Sequence, residues 1–142
     1  MSYDANNIFA KILRGEIPAI TVYEDDQTLA FMDIMPQAHG HTLVIPKEAA
    51  ETLHDLSDDA AANLIKKVKM IAAAVKSAMQ AEGITLFQLN GEAAGQTVPH
   101  IHFHVLPGSI VTARAHASVP SDQSSLEDAA ARIRSALEQV QH

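Results

Sequence analysis

Hydrophobic and polar positions along the chain switch repeatedly between a helical and an alternating period. In "NNIFAKILRGE" (6–16), Ile8, Phe9, Ile12 and Leu13 recur at helical spacing, with Asn6 or Asn7 placed to cap the start and Gly15 to end it. "AITVYEDDQTLAFMDI" (19–34) turns to β-rich runs at 20–24 and 28–34, joined by Asp25, Asp26 and Gln27: a hairpin, closed by Pro36. "HTLVIP" (41–46) reads as a third strand. From Ser57, a capping residue followed by Asp58 and Asp59 where the helix dipole favours acids, Leu64, Val68, Ile71, Val75 and Met79 form a core stripe at a period of 3.6, with Gly83 as terminator. "ITLFQLN" (84–90) and "HIHFHVL" (100–106) are the fourth and fifth strands, separated by the glycine-containing loop "GEAAGQTVP". A small, polar loop follows Pro107. Ser124 and Glu127 then make a capping box that opens a last helix with Leu126, Ala130, Ile133, Leu137 and Val140 inward. The order predicts one α+β domain over 1–142: a five-stranded antiparallel sheet with helices packed on one face, and a C-terminal helix.

Composition narrows the function classes. The 142 residues carry a net charge of −7, with ten Lys plus Arg and no basic stripe, which argues against binding nucleic acid through its phosphates. No apolar run approaches a membrane span, and the N-terminus lacks the apolar core of a signal peptide, so a soluble, cytoplasmic protein is expected. There is no cysteine, which removes disulfides, thiolate catalysis and cysteine-held zinc.

The eight histidines carry the chemistry. Strand side chains alternate faces, so His100, His102 and His104 project to one side and Ile101, Phe103 and Val105 to the other. On spacing alone two chemistries fit equally. One is metal chelation, with His39 and His41 as a second pair and Asp33 as a carboxylate ligand. The other is nucleophilic attack on phosphorus by an imidazole. The preceding loop favours the second, because Gly91 and Gly95 permit backbone conformations that aim N–H groups at an anion and Thr97 adds a hydroxyl.

"HIHFHVL" fits the alternating His signature of the histidine triad (HIT) superfamily. "IFAKILRGEIPAITVYEDDQTLAFMDIMPQAHGHTLVIPK" (8–47) and "NGEAAGQTVPHIHFHVLP" (90–107) resemble its Hint branch, covering 6–107 and leaving 108–142 as a variable tail. The resemblance implies hydrolysis of purine nucleoside phosphoramidates or of acyl- and aminoacyl-adenylates, releasing the nucleoside monophosphate. His102 would be the nucleophile. His100 would orient it with support from His41, and His104 would meet the phosphate. Gly95, Gln96, Thr97 and Asn90 match the phosphate side; Asp33 matches the ribose carboxylate, and Ile8, Phe9, Ile12, Phe31 and Ile34 the base pocket. No metal is implied. Asn7 and Ala10 stand where some relatives have the cysteines of a structural zinc, so no zinc is expected. A homodimer is implied. The alternatives are a dinucleoside polyphosphate hydrolase of the related Fhit branch and a nucleotide-binding module without turnover. His39 is expected on an exposed loop, and His54, His116 and His142 fit no motif.

Overall fold

The computed structural model describes residues 3–109 and 122–140. The segment 110–121, His116, His142 and the side chain of Val140 lie outside the described residues, and most of the loop expected after Pro107 lies there too. Five strands form a single antiparallel sheet: β1 (Thr21–Glu24), β2 (Thr28–Met32), β3 (Thr42–Pro46), β4 (Ile84–Phe87) and β5 (Phe103–Pro107), in the order β1-β2-β3-β5-β4. Three helices accompany it: α1 (Ile8–Leu13), α2 (Asp58–Ala78) and α3 (Gln123–Val140).

The period-2 pattern divides the central strands between two hydrophobic clusters. Ala30, Met32, Val44 and Val105 face α2 and α3 in the main core with Val68, Ile71, Val75, Ala130 and Ile133. Leu29, Phe31, Leu43 and Ile45 face the other way and are covered by Phe9 of α1, with Ile12, Leu13 and Val98 packed around them. The expectation of helices on one face is therefore corrected. The sheet's second face is as apolar as its first between β2 and β3, and the short α1 covers it. No helix among the described residues is long and apolar enough to cross a membrane.

Element ends follow the sequence expectation less closely than the stripes do. Asn7 caps α1 by accepting a hydrogen bond from Ala10 N–H, and Ser57 caps α2 from Ala60 N–H, as expected. The end of α2 is different. It stops at Ala78, where Gln80 N–H donates to the Ser77 carbonyl and Ala81 N–H to the Lys76 carbonyl. This is the paired closure in which one residue turns left-handed, and Gln80 at φ 52° takes that role well before Gly83. In α3 the cap is Asp122, whose carboxylate accepts from Ser125 N–H at 2.8 Å; Ser124 already lies inside the helix. β4 is shorter than "ITLFQLN". It forms a sheet edge on which Leu86 is 45% exposed.

Candidate active site

Sheet register gathers the polar residues at one end of the second face. Phe31 lies opposite Leu43, and the ladder continues one step past β2, with Asp33 N–H donating to the His41 carbonyl at 3.1 Å. Leu43 in turn lies opposite His104, and Phe87 lies opposite His104 from the other side. Asp33, His41, His104 and Phe87 thus arrive together from four strands that are far apart in sequence. Phe87 stacks flat on the His104 ring, with centroids 4.1 Å apart and planes within 9°.

β5 begins at Phe103, so His100 and His102 precede the ladder instead of lying within it. Pro99 has no N–H to give to a sheet. Around it the chain bonds locally, His100 N–H to the Val98 carbonyl and Ile101 N–H to the Ala50 carbonyl. Ile101, Phe103 and Val105 still reach the main core, as alternation predicts. The three histidines do not share one environment, however. His102 and His104 line a cavity, whereas the fully buried His100 ring lies behind it.

The hydrogen bonds fix each ring's tautomer. The backbone carbonyl of His100 can only accept, so His102 Nδ1 carries the proton it donates across 2.7 Å. The lone pair of neutral His102 is then on Nε2. His41 Nδ1 accepts from Gln37 N–H at 3.0 Å, so its Nε2–H donates to His104 Nδ1 at 2.9 Å. That leaves the His104 proton on Nε2. Neighbouring rings thus have opposite characters, one a nucleophile and the other a neutral donor. The expected relay is corrected on two counts. His100 orients His102 through its main-chain carbonyl and not its ring, and His41 supports His104 and not His100, because register sets His41 beside β5.

Burial is the first cause holding all four rings neutral. It pushes His41, His100 and His102 below the ordinary imidazole value of 6.5. His104 is driven to about 3, with His102 and His41 adding to the effect of burial. Asp33 opposes the shift at His41, its Oδ2 lying 3.6 Å from His41 Nε2.

The cavity measures about 550 Å³, within the usual range of small-molecule sites. Ile8, Phe9 and Ile12 of α1 form one wall, Phe31, Asp33 and Ile34 another, and Gly95, Thr97, His102 and His104 the end. Ile34 is 58% exposed, so this wall is open to whatever enters. Phe9 meets His102 edge-on at 4.9 Å. Asp33 accepts from Met35 N–H through Oδ1, which fixes its carboxylate at the rim.

Two expected phosphate residues have other work. Gln96 is buried, accepts from Gly91 N–H and donates to the Glu51 and Val98 carbonyls, so it braces the loop from inside. Asn90 accepts from Leu53 N–H and pairs with Gln88, tying the end of the β4 segment to the short turn at Leu53–Asp55. Neither lines the cavity. Gly95 is there, in the left-handed region at φ 103°, but its N–H donates to the Glu92 carbonyl, as that of Gln96 does to Gly91. These amides close a tight turn and do not converge on an anion. Two other residues that line the cavity carry a side-chain donor, Thr97 its hydroxyl and His104 its Nε2–H. His39 is an exposed loop residue, as expected, with Nε2 3.4 Å from Asp128 Oδ2.

For metals, Asp33, His41 and His104 bring ligand atoms within 4.8 Å of one another, although the two imidazoles here bond to each other. Asn7, where no zinc is expected, caps α1 through its amide oxygen and donates to Tyr3 Oη through its amide nitrogen. It offers no thiolate.

Known proteins share this fold and sequence pattern. The model of the HIT domain matches residues 14–110. The chain belongs to the HIT family. It is similar to the adenosine 5'-monophosphoramidase hnt1 of Schizosaccharomyces pombe, 43% identical over 100 residues that cover 70% of this chain and 72% of that one. It also resembles the adenylylsulfatase HINT3 of Arabidopsis thaliana, 40% identical over 100 residues, 70% of this chain and 51% of that one. Among solved structures, a Hit-like protein of Bartonella henselae described as involved in cell-cycle regulation superposes with a TM-score of 0.89 at 49% identity, covering 96% of this chain and 99% of that one. The five-stranded HIT sheet with its C-terminal helix is shared with that structure.

One contributor lies outside the matched span and outside every motif read from the sequence. Tyr3 Oη lies 2.5 Å from His100 Nδ1. Its only sequence signal is a spacing of four from the capping residue Asn7.

Proposed function

We propose that this HIT protein hydrolyses purine nucleoside phosphoramidates, or acyl- and aminoacyl-adenylates, through a nucleotidyl-histidine on His102. The relatives named adenosine 5'-monophosphoramidase and adenylylsulfatase are hydrolases and support that reaction class. The observation that carries the reading is the opposite tautomers of two adjacent rings at the cavity's end, a bare His102 Nε2 beside a protonated His104 Nε2.

In this reading the base enters between the α1 wall and Phe31, and Asp33 accepts hydrogen bonds from the ribose hydroxyls. The α-phosphate then lies against His102, His104 and Thr97. The His102 Nε2 lone pair attacks phosphorus and the phosphorus–nitrogen bond of the substrate breaks. The departing amine takes its electron pair and a proton from water. The bonded His102 ring gains positive charge, which the Nδ1–H to His100 carbonyl hydrogen bond stabilises. Charge on the phosphate oxygens meets donors already in place, the His104 N–H and the Thr97 hydroxyl. Water next attacks phosphorus from the opposite side and passes a proton to the hydroxide left by protonation of the amine, the bond to Nε2 breaks, and His102 recovers its lone pair as the nucleoside monophosphate leaves.

The test is turnover of a fluorogenic adenosine phosphoramidate with and without EDTA. Turnover unaffected by EDTA is expected. A well-folded protein that releases no fluorophore would contradict the proposal and favour the binding-module alternative.

A further inference from the structure

His100 is fully buried, and both its nitrogens are held from outside the cavity. Nε2 lies 2.8 Å from the Pro46 carbonyl, which can only accept, so that nitrogen carries the proton. Nδ1 must then accept, and the donor is Tyr3 Oη at 2.5 Å. The Tyr3 oxygen accepts in turn from Asn7 Nδ2 at 2.8 Å, and the same Asn7 caps α1 through its Oδ1. A directed chain therefore runs from the cap of α1, through Tyr3, to the His100 ring. Beyond that ring, the His100 carbonyl holds His102 Nδ1. Phe9 of α1 packs edge-on against both rings, so the cavity wall and this chain of bonds belong to one unit. Burial raises the Tyr3 phenol above its ordinary value of 10, which keeps it a donor at all working pH.

From this geometry we propose that Tyr3 is a positioning residue: it locks His100 as the Nε2–H tautomer and so keeps the His100 carbonyl aimed at His102. Without the phenol, His100 Nδ1 becomes a buried acceptor with no donor. The ring relieves this by rotating or by moving its proton to Nδ1. The second route leaves two lone pairs facing each other at Pro46. Either change shifts the 98–102 turn, and the carbonyl that presents His102 shifts with it. The proposal rests on His102 being the nucleophile, and it assigns a role in presenting that nucleophile to a residue outside the matched HIT domain.

Two variants separate this role from simple stabilisation. Tyr3→Phe removes only the hydroxyl. Asn7→Asp keeps a good helix cap but turns a donor toward Tyr3 into an acceptor that draws the phenol proton away from His100. Both are compared with wild type by phosphoramidate kinetics well below their melting temperatures, and by imidazole nitrogen NMR. Each is expected to lower kcat about tenfold, the scale of one lost buried hydrogen bond, with KM within twofold. His102 should also change from one tautomer to a mixture. An unchanged kcat, or an unchanged His102 tautomer, overturns the role. If the wild type turns over no phosphoramidate, the proposed function fails by itself, and the His102 spectrum of the two variants decides whether the Tyr3 lock exists.

Discussion

On the face of the sheet that packs against α2 and α3, Ile71, Val105 and Ile133 are fully buried in hydrocarbon. On the opposite face His41 and His100 are buried just as completely, but each of their ring nitrogens has a partner. The same strand alternation produces both faces, and they obey different physics. The hydrophobic face needs volume and shape, and its energy falls gradually as atoms are removed. The histidine face needs direction, since an imidazole turned by one tautomer is the same size and the wrong reagent. Apolar clusters thus lie on both sides, and the buried imidazoles gather on the second.

The largest expected effect follows from breaking the second face at its centre. His102→Ala should lower phosphoramidate turnover by at least about a thousandfold, as loss of a covalent nucleophile does. Its stability cost should stay near 1–3 kcal/mol, for the His100 carbonyl left unpaired. Steady-state kinetics and denaturant melts measure the two numbers. The converse change on the first face is Ile71→Ala, expected to cost about 2–5 kcal/mol in the same melts while kcat/KM per folded molecule stays unchanged. A large activity loss there would mean the faces are not separable.

The sequence carries these contrasts only in part. Alternation placed Ile101, Phe103 and Val105 in the core, and the stripe of α2 named Leu64, Val68, Ile71 and Val75 though not Ala74, because burial acts on every turn or every second residue and leaves a repeating trace. Partner choice leaves no such trace. Nothing local in "GHTLVIPK" says that His41 pairs with His104; β3–β5 register decides it. The family resemblance puts Gln96 and Asn90 on the phosphate side, whereas here their hydrogen bonds brace the loop and the β4 end. The contact of Tyr3 with His100 spans 97 positions, so its spacing from the capping residue Asn7 carries no hint of it.

The mildest way to sharpen the comparison is pH. His41, His100, His102 and His104 all have folded pKa values below 6.5, that of His104 being about 3. The unfolded chain binds these protons near pH 6.5 and the folded chain does not. Stability is therefore fully present above pH 6.5 and is lost as pH falls toward 3. Calorimetry should find Tm dropping over that window, with net proton uptake on unfolding. A flat Tm from pH 7 to 4 would contradict four neutral buried rings. The same shifts keep His102 a competent nucleophile on the acid side, so kcat/KM should persist below pH 6.5.

The central claim is that His102 Nε2 bonds to phosphorus during turnover. The most direct measurement is mass analysis of protein quenched in acid-free denaturant during hydrolysis of an adenosine phosphoramidate, followed by peptide mapping. The account predicts one adenylyl group on the peptide that spans 98–107, located at His102 and missing from His102→Ala. An adduct on a different residue, or full turnover by His102→Ala, would contradict it.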